Sequence, residues 1–330
     1  MKYCTKCILN EHTPFISFDC KGECSYCHEQ ETIESDKDFH LYTNKSDFNK
    51  LLAEERGKNK YDCIVACSGG KDSVMALYAI KKILHLNPLA IIFSNQFLVK
   101  GMVENVQNAA EKLGVDWRLY HYNEVKKGFE HFLKSEFRKQ ISLCDACQLF
   151  ISPIKIAKKI AREEGVKIVF TGATMAQRIG AMTKNSTIPT HQKYSERYRT
   201  VMNNLKKYLG QFNELKDILS EVDDDGSIVV TSPWHYLNQE RLEADSILNS
   251  LGWKQIKHSF PPKSTNCELS FLTAYLGRKY KVANYDITFS RLIRFGEMDR
   301  QEAMKRFKKR IPPSLLKKTL SKFNIDVDTL

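Results

Sequence analysis

The stretch Tyr61-Asp-Cys-Ile-Val-Ala-Cys-Ser-Gly-Gly-Lys-Asp-Ser-Val74 contains three local patterns in succession. An apolar, β-prone run from Cys63 to Cys67 breaks at Gly69-Gly70, and a helical spacing of apolar residues then continues to Ile83. The stretch therefore predicts a strand, a glycine-rich turn and a helix. Glycine lets the backbone approach an anion closely, and a helix start offers N–H groups and the positive end of the helix dipole. This order is typical of a phosphate-binding loop.

The polar side chains of the turn favour the same interpretation. Ser68 and Ser73 offer hydroxyl donors, Lys71 a mobile positive charge, and Asp72 a contact for Mg²⁺. The spacing G-x-x-x-x-G-K-[ST] of a Walker A loop cannot be fitted to these residues. The alternative is a Gly-Gly turn between a strand and a helix that binds no ligand.

The six residues Ser68-Gly-Gly-Lys-Asp-Ser73 resemble the SGGxDS signature of the PP-loop ATP pyrophosphatases, which cleave ATP to AMP and pyrophosphate. The resemblance implies an adenine nucleotide alpha hydrolase-like fold with the phosphates of ATP bound on Ser68, Gly69 and Gly70. It also implies that Lys71, Asp72 and Ser73 are catalytic, and that ATP and Mg²⁺ are cofactors.

Short apolar runs alternate with helical patterns through the rest of the chain. Further strands are predicted at 88–93, 116–120, 167–170 and 228–233, and helices at 103–113, 125–139, 153–164 and 238–251. This alternation predicts an α/β fold with a doubly wound parallel sheet. Ligands of such sheets bind at the carboxyl ends of the strands, which makes Ser94, Thr171 and Gly172 candidates for nucleotide binding. A plain glycine-containing turn is the alternative at Thr171-Gly172.

Two Cys-x-x-Cys pairs lie near the N-terminus, Cys4 with Cys7 and Cys24 with Cys27. Two such pairs can complete the tetrahedral four-sulfur site that is typical of structural zinc. The segment has too little apolar content to fold alone, so the metal would supply its folding energy. A redox pair or an iron–sulfur site is the competing interpretation, and Cys20 and His28 are nearby spare ligands.

A third pair, Cys144 and Cys147, has a distant companion in Cys267. One Cys-x-x-Cys with one distant cysteine resembles the set that holds a [4Fe–4S] cluster with one open iron in PP-loop thiolation enzymes. The resemblance implies that an open iron holds a sulfide next to the adenylated carbon of the substrate. The alternatives are a second zinc site, inert buried thiols or a dithiol redox pair.

Composition and charge indicate the kind of partner and the location of the protein. The chain has 330 residues and a net charge of +12, which favours an anionic partner such as ATP, a nucleotide-sugar or RNA, although a lysine-rich composition bias explains the charge equally well. It has no apolar run of about 20 residues and no signal-peptide pattern, so we expect a cytoplasmic protein without a membrane partner.

Four regions are expected along the chain. They are a zinc-binding module at 1–30, a linker with a polar helix at 31–58, the PP-loop domain at 59–260 and a basic helical region at 261–330. Within the third, residues 174–226 are rich in Lys, Arg and Tyr, which suits an anionic substrate or a lid; a solvated surface helix is the alternative.

Several blocks together resemble the N-acetyl sugar amidotransferases, a PP-loop family of surface-polysaccharide pathways. The matching blocks are Met1–Cys7, Gly22–Cys27, Tyr61–Ile64, Ser68–Ser73, Leu86–Leu89, Leu113–Asp116, Gly252-Trp253 and Arg291–Met298. The family activates the carbonyl oxygen of an N-acetyl group with ATP, and ammonia from a separate glutaminase then displaces AMP. The Cys144–Cys147 pair departs from this family and resembles instead the [4Fe–4S] tRNA thiolation enzymes.

Both resemblances imply the same first half of a reaction, an adenylated carbonyl or amide oxygen. The amidotransferase resemblance covers more of the chain, so an acetamido sugar aminated by ammonia is preferred, with sulfur insertion into tRNA or a small metabolite as the alternative. A non-catalytic nucleotide- or RNA-binding module is a third candidate. The expected partners are the anionic substrate, a separate glutaminase or sulfur donor, and a second copy of the chain in a homo-oligomer.

Overall fold

A computed structural model describes ten segments of the chain. They are residues 2–29, 45–121, 124–150, 153–174, 189–219, 227–237, 242–255, 267–282 and 285–327, and residue 330. Five parallel strands form one sheet in the order β3-β2-β1-β4-β5. The strands are β1 Cys63–Cys67, β2 Pro88–Ser94, β3 Asp116–His121, β4 Ile168–Thr171 and β5 Val229–Thr231.

Helices surround the sheet in chain order. They are α1 Lys45–Glu55, α2 Lys71–Tyr78, α3 Met102–Leu113, α4 Val125–Lys134, α5 Leu143–Phe150, α6 Pro153–Glu163, α7 Pro189–Leu209, α8 Lys216–Leu219, α9 Ala244–Ser250, α10 Ser270–Tyr280, α11 Tyr285–Arg294, α12 Arg300–Lys308 and α13 Pro313–Leu320. A π-helical turn, Ala79–Ile83, extends α2.

Successive residues of the central strand pack against different layers, as the alternating directions of strand side chains require. Cys63 and Val65 belong to a core with residues of α1, α2, α3 and α9. Ile64 belongs to a second core with Ala157 and Ile160 of α6. Buried layers on both faces confirm the doubly wound parallel sheet that the alternating pattern predicts.

The chain order reverses at β1, because β2 and β3 extend the sheet on one side and β4 and β5 on the other. In register, Cys67 lies beside Ile92 of β2, and Ala66 lies beside Thr171 of β4. Loops that leave the carboxyl ends of neighbouring strands in opposite directions open a crevice between them. The glycine-rich turn after β1 therefore lies at the topological switch point.

A third core joins helices from the middle and the end of the chain. It contains Phe129 of α4, Phe150 of α5, Leu205 of α7, Leu272 of α10 and Leu320 of α13. These helices share one apolar interior, so the C-terminal helical region packs directly on the helices that follow β3. The boundary expected at residue 260 falls within 256–266, outside the described residues.

The N-terminal cysteine segment packs on the C-terminal helices. Arg300 donates hydrogen bonds to the carbonyl oxygens of Cys4 at 2.8 Å and Cys7 at 2.9 Å. The N–H of Ile8 donates to Ser290 at 3.3 Å, and Ile8 is buried against Phe289. The first and last parts of the sequence therefore form one structural unit.

Two details differ from the sequence-based expectation. Cys144 and Cys147 lie on helix α5, which is not among the predicted helices. The last helix before Gly252 begins at Ala244, whereas the predicted start at 238 lies outside the described part of the chain. Asp299 caps α12, accepting from the N–H groups of Gln301 and Glu302. Among the described helices, none is long and apolar enough to cross a membrane.

Candidate functional site

The predicted phosphate-binding residues lie at the carboxyl edge of the sheet. Ser68, Gly69 and Gly70 form the turn after β1, and α2 begins at Lys71, with Gly70 as its N-cap residue. Thr171-Gly172 follows β4, and Ser94 ends β2 on the other side of β1. The structure thus places these predicted residues along one edge, where the first turn of α2 presents its N–H groups.

Two glycines are required by close backbone contacts at this edge. Gly69 has φ of +79°, and a Cβ there would lie 2.2 Å from the carbonyl oxygen of Met102. A Cβ on Gly172 would lie 2.5 Å from the Cα and 2.6 Å from the N of Ser73. No side chain fits at either place, because the turn after β1 packs against the start of α3 at Gly69 and the end of β4 packs against the first turn of α2 at Gly172.

The hydroxyl of Ser73 is buried and stabilises the turn from within. It donates to the carbonyl of Gly70 at 2.9 Å and accepts from the N–H of Ser68 at 3.2 Å. The hydroxyl of Ser68 also reaches it, at 3.3 Å. Lys71 is exposed and Asp72 half-buried on the same helical turn, so a cation and a carboxylate flank the helix start.

Asn105 and Trp253, which lie outside the Ser68–Ser73 motif, bind the turn after β1. The motif predicts no role for either residue. The carbonyl of Gly69 accepts hydrogen bonds from the Trp253 indole at 3.0 Å and from the Asn105 amide at 3.2 Å. Asn105 is itself fixed by the backbone of Lys254, with both bonds at 2.9 Å. The C=O and N–H of a trans peptide point in opposite directions, so these bonds direct the N–H of Gly70 away from Trp253.

The hydroxyls of Ser94 and Thr171 have local partners. Ser94 is buried and accepts from the N–H of Gln96 at 3.2 Å. Thr171 accepts from the N–H of Ala173 at 3.4 Å and donates to the carbonyl of Thr231 at 3.5 Å. These contacts shape the loops, and nucleotide binding by the two side chains stays a prediction.

The structure brings Cys144, Cys147 and Cys267 to the same edge. Asn95, which directly follows β2, donates from its amide to the sulfur of Cys267 at 3.3 Å and also contacts the thiol of Cys147. Cys267 pairs with Leu98 in a short antiparallel bridge. Asn95 therefore links Cys267 of the C-terminal region to Cys147 on α5. The spacing of the cysteines in the sequence could not establish this proximity.

These three thiols are less closely gathered than the ligands of a single ion, and a cluster stays a prediction. Among the described residues they do not form a group with all sulfur atoms within 4.8 Å of one another. In a [4Fe–4S] cluster each thiolate binds a different iron, so its ligand sulfurs lie farther apart than around one zinc ion. Burial raises the pKa of Cys267 to about 11 and also raises that of Cys147, so metal binding would have to displace their protons.

The N-terminal cysteines are far closer together. The sulfurs of Cys4, Cys7, Cys24 and Cys27 all lie within 4.8 Å, with 3.8 Å between Cys4 and Cys27 and 3.7 Å between Cys7 and Cys24. A tetrahedral ion with Zn–S bonds of about 2.3 Å separates its ligands by about 3.8 Å. All four thiols are buried and fit one zinc ion; zinc itself stays a prediction.

The predicted basic segment, residues 174–226, is described only in part. Residues 175–188, which include Arg178 and Lys184, and residues 220–226 lie outside the described part of the chain. The remainder forms α7, on which Arg197 is exposed and Val201 and Leu205 are buried. A role as a lid or as an anion site stays a prediction.

No family model matches the chain, but one curated protein does. An uncharacterised protein of Methanocaldococcus jannaschii is 29% identical over 168 residues, which are 51% of this chain and 54% of that protein. The match therefore spans about half the length of this curated relative.

Three of the solved structures that resemble the chain are the following. The U34-tRNA thiolase NcsA from Methanococcus maripaludis, with its [4Fe–4S] cluster, has a TM-score of 0.36 at 14% identity and covers 95% of this chain and 90% of its own. The NH₃-dependent NAD synthetase of Campylobacter jejuni has 0.32 at 16% identity, over 57% and 81%. The NMN synthetase of Francisella tularensis has 0.30 at 14% identity, over 84% and 99%.

Proposed function

We propose that the chain is an AMP-forming, ATP-dependent enzyme. The observation that carries this proposal is the fit between the turn after β1 and the backbone of Gly172, which packs against Ser73 at the switch point of the sheet. A turn closed this tightly, with Lys71 and Asp72 at the helix start, suits the binding of a polyphosphate. A turn without a ligand would not need both glycines and both charged groups in this arrangement.

In the proposed reaction, a carbonyl or amide oxygen of the substrate attacks the α-phosphorus of ATP. The bond between the α-phosphorus and the bridging oxygen breaks, and pyrophosphate leaves with the electron pair. The N–H groups of the turn and the Lys71 ammonium stabilise the charge that develops on the leaving phosphates. Asp72 would hold Mg²⁺, which neutralises phosphate charge when bound. A nucleophile then attacks the activated carbon, and AMP leaves with the former substrate oxygen.

The nucleophile that the geometry favours is sulfur. Cys147 and Cys267 are joined through Asn95, which begins the loop after β2 at the same edge as the phosphate-binding turn. Together with Cys144 they would hold a [4Fe–4S] cluster, which when bound offers an open iron for a sulfide. The substrate would then be a tRNA or a small metabolite, and a sulfur donor would be the partner.

A second candidate, transfer of nitrogen to an acetamido sugar, is supported by a different contact. Thr174, two residues after Gly172, donates to the carboxylate of Glu297 at 2.8 Å. Glu297 belongs to the block Arg291–Met298 that resembles the sugar amidotransferases. This contact brings the block to the end of β4, where it could meet a sugar. Ammonia would come from a separate glutaminase.

The experiment that tests the proposed function is product analysis with purified protein, ATP and Mg²⁺, using total tRNA and UDP-N-acetylglucosamine as acceptors. We expect AMP and pyrophosphate, and Lys71→Ala should lower the rate about 10²-fold because it removes charge stabilisation at the leaving phosphates. The matched control is Lys82→Ala, an exposed lysine beyond the far end of α2, which should keep the wild-type rate. ADP and orthophosphate as products would contradict the proposal. The absence of pyrophosphate with wild type and variant alike would favour the non-catalytic module.

Trp253→Phe tests whether the orientation of the turn matters. The substitution keeps an aromatic ring but removes the indole N–H that binds the carbonyl of Gly69. We expect affinity for the α,β-methylene analogue of ATP to fall about fivefold, as the loss of one hydrogen bond to the turn predicts. Calorimetric titration measures this. Trp117→Phe, a half-buried tryptophan on β3, is the control and should leave the affinity unchanged.

A further inference from the structure

A cavity of about 350 Å³ lies between the N-terminal cysteine segment and the C-terminal helices. Tyr3 and His12 form one wall, Arg278 and Lys281 the second, and Phe307 with Lys308 the third. We call it the module cavity. Its volume is within the range of small-molecule sites, and none of the proposed chemistry above uses it.

The charged side chains of the module cavity are mostly cationic. Arg278, Lys281 and Lys308 line it, and Asp286 is the acidic residue of the lining. The Arg278 guanidinium is fixed, since it donates to the carbonyl oxygens of Phe307 and Lys309. Lys281 and Lys308 are exposed and able to reach a ligand. The cavity therefore favours an anion.

Aromatic rings supply the second feature of the module cavity. Tyr3, Tyr285 and Phe307 line it, and the Lys308 ammonium lies 5.3 Å from the centre of the Tyr3 ring. Rings of this kind stack on planar groups, and nucleobases stack on aromatic side chains irrespective of base identity. A sugar without phosphate would offer no anionic group to Lys281 and Lys308. Cations and rings together suit a ligand that carries both a phosphate and a planar ring, as a nucleotide does.

The module cavity also adjoins the three-cysteine set. The hydroxyl of Tyr285 lies 3.6 Å from the sulfur of Cys144. A neighbouring cavity of about 180 Å³ shares His12 and Lys281 with the first and is lined by Asp145, the residue after Cys144. A ligand in the module cavity would thus lie beside the cysteines that the proposed function assigns to the second half of the reaction.

We propose that the module cavity binds a nucleotide unit of the substrate, with its phosphate near Lys281 and Lys308 and its base between the aromatic rings. The inference rests on the proposed function for calling this ligand part of the substrate. Binding itself requires no turnover. A free nucleotide, such as the carrier of a nucleotide-sugar, and a nucleotide within RNA share this chemistry.

Binding is measured on the full-length protein with UMP, ribose 5-phosphate and a short single-stranded RNA as probes, while the α,β-methylene analogue of ATP saturates the turn after β1. We expect saturable UMP binding. Lys281→Glu and Lys308→Glu should each weaken it about tenfold, because each places a negative charge beside the bound phosphate. Ribose 5-phosphate should bind about tenfold more weakly than UMP, because it lacks the stacking base.

The matched control is Lys82→Glu, which makes the same charge change at an exposed residue beyond the end of α2 that does not line the module cavity. It should change UMP binding less than twofold, about the effect of a distant surface charge. Equal weakening by all three variants, equally tight ribose 5-phosphate, or the absence of saturable binding of both UMP and RNA would overturn the proposal. RNA that binds far more tightly than UMP identifies RNA as the source of the nucleotide, and similar affinities identify a free nucleotide.

One further variant separates this inference from the proposed function. Lys71→Ala should lower the rate of pyrophosphate release about 10²-fold. It should leave UMP binding unchanged, because Lys71 lies at the start of α2 and does not line the module cavity. Loss of UMP binding with pyrophosphate release intact would refute the nucleotide site alone. Intact UMP binding with ADP as the product would refute the AMP-forming reaction alone.

Discussion

Gly172→Ala is expected to lower the rate of pyrophosphate formation about 10²-fold, the loss typical of a displacement of about 1 Å in an active site. The added methyl group would lie 2.5 Å from the Cα of Ser73, so β4 and the first turn of α2 must move apart by about that distance to reach ordinary contact. The backbone has no flexible side chain to absorb the overlap. The N–H groups at the helix start would then no longer converge on the phosphates.

The control for this prediction is Gly128→Ala, which creates a comparable overlap elsewhere. Its methyl group would lie 2.3 Å from the Phe150 ring, in the core shared by α4 and α5. Both variants should unfold at lower temperature than wild type, since overpacking typically costs about 1–3 kcal/mol. The Gly172 variant alone should lose activity per folded molecule. If Gly172→Ala keeps the wild-type rate, the close contact between β4 and the helix start has no part in catalysis.

The sheet and the turn could be predicted because their signals are local. Cys63–Cys67 is a short apolar run before two glycines, and a helical pattern follows it directly. Each strand boundary was marked in the same way by a change of periodicity, and the structure places β1, β2 and β3 within one residue of the prediction. Short-range pattern determines secondary structure when buried layers lie on both sides of a strand.

The contacts that hold the turn could not be predicted from pattern alone. Asn105 is a buried polar residue of the amphipathic helix α3, and Trp253 follows the glycine after a different helix, α9. Their shared partner is the carbonyl of Gly69, which lies 36 residues from one and 184 from the other. Sequence spacing does not show that two residues so far apart in the chain bind the same carbonyl oxygen. Cys147 and Cys267 were grouped by resemblance to the thiolation enzymes and not by their spacing, and the contact of both with Asn95 was not predicted.

The largest effect on cofactor content is expected from Cys147→Ala. Protein purified and reconstituted without oxygen should be brown and contain about four iron atoms per chain, as a [4Fe–4S] cluster requires. The variant should lose nearly all of this iron and its visible absorption. The cluster would be held by the three thiolates of Cys144, Cys147 and Cys267, and the variant leaves only two of them. Iron and zinc are counted by plasma mass spectrometry on the same samples.

Two internal comparisons make this result specific. Cys20→Ala removes an exposed cysteine that belongs to neither set and should leave both metals in place. Zinc in the Cys147 variant should stay near one ion per chain, because Cys4, Cys7, Cys24 and Cys27 form a closed site held to the C-terminal helices by Arg300. A colourless wild-type protein with zinc alone would contradict the cluster and favour nitrogen as the nucleophile. The adenylation step would be unaffected by that outcome, since it depends on the turn after β1 and on no cysteine of either set.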